Sequence, residues 1–193
     1  GPPLRTIEAS GVTRVALINP VKSDELTLKV GGCSNVETGI LLVRKLAAEV
    51  HGSSRLNVAG FESETVRCKV SGASNAWLSG RTSEMTLGAS GSAHLTATGL
   101  DAGHIDVTAS GAATCTLSGH SDRAALGVSG AAHIEAFGLS AVNVAAEASG
   151  AGHIHCQVAG NLKADATGSS RITYDGNPEQ VMRGDRSANI RQR

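Results

Sequence analysis

Four side chains past the middle of the chain, His133, Glu135, His153 and His155, have types and spacing suited to holding a metal ion. Each pair skips one residue, so in an extended segment both members project from one face about 6.5 Å apart. Three imidazoles and one carboxylate form a donor set for Zn²⁺ or Ni²⁺ at a surface. The same four serve equally as a solvated ladder whose rings stack or pair with nearby charges. Cys33, Cys68, Cys115 and Cys156 lack the C-x-x-C spacing of a zinc site. Glu147 and Asp165, with Arg183 beyond them, come nearest to the paired carboxylates that sugar-cleaving enzymes need. Arg183-Gly184-Asp185 spells a tripeptide that some animal cell-surface receptors read, a match short enough to arise by chance.

Composition removes several classes of function. The 193 residues carry 17 basic and 17 acidic side chains, for a formal net charge of zero. That balance argues against nucleic acid, whose binding draws on clustered Lys and Arg. The aromatic residues Phe61, Trp77, Phe137 and Tyr174 are too few for a base-stacking platform. The longest run of bulky aliphatics stops at Arg44, far short of the roughly 18 apolar residues of a membrane span. Glycine supplies 24 residues of the 193, well above the usual ~7 per cent. Tight turns around a thin aliphatic core are expected.

The elements that must position these groups follow from a repeat. SGAAHI from Ser129 recurs as SGAGHI from Ser149 and SGSAHL from Ser90. Weaker copies begin at Ser10, Gly31, His51, Ser71, Ser110, Thr167 and Asp185, so ten copies lie 18 to 21 residues apart. They cover the chain, and residues 1–193 read as a single domain. Four places beyond the second residue of each copy stand Val15, Val36, Leu56, Ala76, Leu95, Cys115, Ile134, Ile154, Ile172 and Ile190. Apolar residues also stand two, four and six places before it, as Val128, Leu126 and Ala124 do before Gly130. A spacing of two is the strand signature, so each repeat offers one short strand before its Ser-Gly corner and one after. Identical columns at this period stack like over like only if each coil returns above its own start. The expected fold is all-β: a right-handed parallel β-helix (solenoid) of about nine to ten coils of ~20 residues, roughly 45 Å long.

This register places the chemistry. His133 and Glu135 lie directly over His153 and His155 on an outward face, and the four make a square. The cysteines fall on well-separated coils, with Cys68, Cys115 and Cys156 inward as small hydrophobes. Glu8, Lys29, Glu49 and Lys69 share one column, which predicts cross-coil ion pairs. Glu147, Asp165 and Arg183 end that column. Thr96 and Thr116 are adjacent, but Trp77 and Glu135 interrupt the regular threonine array an ice-binding face would need.

The SGA-x-H/N-I element, the opening LRTIEASGVTRV and the later YDGNPEQV resemble the auto-transporter adhesin head domain family, or head GIN domain. The resemblance covers nearly the whole chain. It implies a right-handed parallel β-helix with no established enzymatic activity, exported by Gram-negative bacteria and periplasmic, outer-membrane-anchored or extracellular. Gly1-Pro2 reads as the scar of a cleaved tag, with a leader removed ahead of it.

The expected role is a non-catalytic exported scaffold or adhesin-like recognition module with an extended repetitive surface. Carbohydrate or a cell-envelope polymer is the expected partner, with no cofactor and no catalytic residue assigned. One alternative is a polysaccharide-active β-helix enzyme, which needs converging acids and long loops that a near-constant repeat leaves no room for. Another is a self-assembling envelope protein, because solenoid ends expose unpaired strand edges and neither terminus carries an evident helical cap. A homo-oligomer would follow.

Overall fold

Each coil turns at a glycine and then runs as extended chain to the next such corner. The computed structural model describes residues 4–184 and 189–193; the Gly1-Pro2 pair and Asp185 lie outside them. The strands are β1 (Thr6–Ala9), β2 (Arg14–Leu17), β3 (Val21–Val30), β4 (Asn35–Val50), β5 (Arg55–Val70), β6 (Asn75–Ala89) and β7 (His94–Ala109). They continue as β8 (Thr114–Val128), β9 (His133–Ala148), β10 (His153–Ala166), β11 (Arg171–Asp175), β12 (Gln180–Arg183) and β13 (Ile190–Gln192). All pair in parallel within one 13-stranded sheet, stacked as a β-solenoid of about nine turns. No α-helix occurs among the described residues.

The predicted columns are the observed ones. Val36, Leu56, Ala76, Leu95, Cys115, Ile134, Ile154, Ile172 and Ile190 stack in register and are buried. Val15, at the end of the stack, is only half-buried. One detail differs: a coil is not two short strands but one bent strand, 16 residues long in β4, β5, β7 and β9. In β9 the alternation of buried and exposed residues slips phase at Phe137-Gly138 and again at Val142-Asn143. Each coil therefore has three runs of inward side chains, and alternation restarts after each bend. Repeats of unequal length stay in register because the ladder shifts near the first bend, as between Val58 and Phe61 or between Cys156 and Gln157.

The corners hold the stack together through backbone. Ser53 N donates to Gly32 O at 2.9 Å, Ala131 N to Gly111 O at 2.8 Å, and Ala151 N to Gly130 O at 2.8 Å. Two places after the glycine a second buried column runs Ser34, Ser54, Ser74, Ala93, Ala113 and Ala132. Early in the chain the serine hydroxyls satisfy corner groups: Ser54 Oγ accepts from Ser34 N at 3.4 Å and donates to Gly32 O at 3.1 Å. At Ala113 and Ala132 the amide turns to its own corner instead, Ala113 N donating to Ser110 O at 3.3 Å and Ala132 N to Ser129 O at 3.4 Å.

Gly52 shows why the corner excludes other residues. Its φ is +76°, and a Cβ would stand 2.5 Å from Gly32 O. Gly127, within β8, has ordinary φ and its nearest obstacle at 3.9 Å. Chemical denaturation should show Gly52→Ala losing about 1–3 kcal/mol, whereas Gly127→Ala should stay within ~1 kcal/mol of the parent. Equal losses would contradict the corner argument.

Candidate functional site

Two outward columns make the face that follows each corner. One runs Asn35, Arg55, Asn75, His94, Thr114, His133, His153 and Arg171; the other runs Glu37, Asn57, Trp77, Thr96, Thr116, Glu135, His155 and Thr173. His133 lies over His153 and Glu135 over His155, but the four side chains engage in separate contacts. The His133 and His153 rings stack with centroids 5.0 Å apart, and His133 Nδ1 donates to Ala131 O at 2.9 Å. His155 sits between two carboxylates: Nε2 donates to Asp175 Oδ2 at 2.8 Å, and Nδ1 lies 3.6 Å from Glu135 Oε2. Phe137 covers this imidazole at 5.1 Å. Among the described residues no three His, Cys, Asp or Glu side chains converge as a metal site.

Glu8, Lys29, Glu49 and Lys69 share a column, and Glu147 lies over Asp165. Arg183 is displaced from its expected place. It pairs with Ala164 rather than Asp165 and donates from Nη2 to Tyr174 Oη at 3.1 Å. The turn at Gly176–Glu179 carries one residue more than the period allows, so β12 is offset from the earlier column. None of the ion pairs expected along Glu8–Lys69 closes to 4 Å among the described residues. Cross-coil pairs form on other columns: Lys45–Glu25 at 3.3 Å, Arg44–Glu64 at 3.4 Å and Arg81–Asp101 at 3.1 Å. All are exposed, and each contributes roughly 0–1 kcal/mol.

Two surface features remain. Trp77 is 37% exposed, with the Arg55 guanidinium 5.7 Å from its ring, in a shallow depression shared with Glu37, Asn57 and Thr98. A separate furrow runs over Ala125 and Ala145 between polar columns on β7 to β12. The sequence reading passed over it, although two successive alanines at outward positions are a visible signal.

The family model for the putative auto-transporter adhesin, head GIN domain, matches residues 1–115 and again 80–178. The chain belongs to that family. No curated protein matches it. A crystal structure of a putative lipid binding protein from Parabacteroides distasonis is similar in fold, with a TM-score of 0.64 at 15% identity. The match covers 99% of this chain and 93% of that one.

In this head GIN domain Cys68, Cys115 and Cys156 are buried free thiols and Cys33 is exposed. Burial, by stripping solvent from the thiolate, pushes the three inner thiols up to about 12 from 9.0. They ionise in the unfolded chain first, so their contribution to stability is intact below pH 9 and is lost as pH rises toward 12. At pH 8 a thiol reagent should label Cys33 alone in the folded protein and all four cysteines in denaturant. Rapid native labelling of any inner cysteine would contradict the register.

Proposed function

We propose that this chain is a non-catalytic recognition module, exported to the cell envelope or surface, that binds an extended carbohydrate along the face bearing Trp77. Support for export and an adhesive role comes from the family description, an auto-transporter adhesin head. The observation that carries the ligand is Trp77 itself. Its ring is part-exposed on an outward face and set in a column with Asn57, Thr96 and Thr116. An aromatic ring offers the apolar side of a sugar a surface, and neighbouring amides and hydroxyls can replace the water around its hydroxyl groups. In-register repetition lets a polymer gain weak contacts coil after coil. Catalysis is disfavoured because Glu147 and Asp165 stand on one outward column with no inserted loop among the described residues to wall them into a cleft.

Trp77 is the single tryptophan, so its fluorescence reports this face alone. Titration with soluble peptidoglycan fragments and with envelope polysaccharide should shift its emission saturably. Trp77→Ala should weaken retention on the same glycan at least roughly tenfold, about 1.4 kcal/mol, with no new reducing ends released. An unchanged emission and equal retention of both proteins would overturn the proposal.

A further inference from the structure

The furrow over Ala125 and Ala145 lies on a different face from Trp77, and its chemistry is different. Its floor column reads Asp106, Ala125, Ala145, Lys163 and Met182, each residue over the next. Its wall column reads His104, Arg123, Asn143, Asn161 and Gln180. The small floor residues open a trough of about 270 Å³, underlain by Ala124, Val144 and Leu162. It spans four rungs, roughly 19 Å at the usual strand spacing. That is one column wide and just below the usual range for small-molecule pockets.

We propose that this furrow binds a single-chain fatty acid. The floor is apolar over Ala125 and Ala145, where His104, Arg123 and Lys163 stand along it, and the one acid of the floor column, Asp106, lies beyond Ala125 at the end of the trough. The described ion pairs involve neither Arg123 nor Lys163, so both cations keep their donors for a ligand. Asn161 Nδ2 donates to Asn143 Oδ1 at 2.9 Å, fixing the amide wall. Glu147 and Asp165 stand two places along from Ala145 and Lys163 on the same strands and repel an anion from the far side. These charges orient the guest. Its carboxylate pairs with the Arg123 guanidinium, a fork that matches carboxylate geometry. Its chain runs over Ala145 and the Lys163 methylenes, which lie along apolar surface while the ammonium reaches water. The tail ends on Met182, which is 64% exposed and offers a soft thioether. One column of width admits one chain, which excludes a two-chain phospholipid.

The two methionines give the test its control. Met182 is at the furrow and Met85 is in the core at 1% exposure. With ¹³C-methyl methionine label, dodecanoate below its micellar range should shift the Met182 resonance saturably and leave Met85 in place. Acetate and dodecylammonium should leave both unmoved. Arg123→Gln should weaken dodecanoate binding roughly tenfold, the loss of one charge-assisted bond, and Ala145→Trp should fill the trough and abolish it. Both sites face outward, and the Met85 signal reports whether each variant keeps its core. A Met182 signal indifferent to dodecanoate, an equal response to dodecylammonium or acetate, or binding unaltered by either substitution overturns the proposal.

Discussion

The backbone ladder between consecutive coils is the constraint on which everything else rests. Each coil donates and accepts hydrogen bonds with the coil on either side, in parallel and in register, so a residue's neighbours are those one period away. At the corners this requires backbone to approach backbone directly. A Cβ on Gly32 would stand 2.5 Å from Gly11 O, and φ there is +67°. Glycine meets both demands, since it adopts positive φ without steric penalty and adds no atom to the contact. The recurring glycine thus sets where each coil turns, and the interval between glycines sets what stacks on what.

A narrow interior follows. Inward columns from three sides meet over a short distance, so leucine or isoleucine on one side faces alanine or serine on another. Ala93, Ala113 and Ala132 are fully buried beside Leu95, Cys115 and Ile134. Phe61 and Tyr174 are the large exceptions, both buried, and the Tyr174 hydroxyl is met by Arg183. That contact lets an aromatic residue close the lower part of the core while its polar end is satisfied.

Much of this was legible beforehand because a repeat prints the same environment many times. Ile134 over Cys115 and under Ile154, and His133 over His153, follow from counting. What counting missed has local causes. Arg183 slipped from Asp165 because one extra residue enters at Gly176–Glu179, a change no column average reveals. The continuity of the strand escaped notice because its bends at Phe137-Gly138 and Val142-Asn143 are phase slips in burial within one strand, not turns that end it. Side-chain pairing was the least legible. Register brings His155 over Glu135, but Asp175, from the adjoining coil, takes its Nε2. The two outward faces then divide the surface by chemistry, one with an aromatic ring among amides and hydroxyls, the other with a bare aliphatic trough edged by cations.

Distances along one outward column test the stacking most directly. Spin labels on cysteines introduced in a Cys33→Ser background would report them, since the remaining thiols are buried. Asn57 to Thr116 spans three rungs, Asn57 to Thr173 six, and Glu37 to Arg191 eight. Pulsed dipolar measurements should give separations near 14, 29 and 38 Å, rising by about 4.8 Å per rung. Separations that fail to grow with rung number, or an Asn57–Thr173 distance shorter than Asn57–Thr116, would contradict the parallel stack and the two faces built on it.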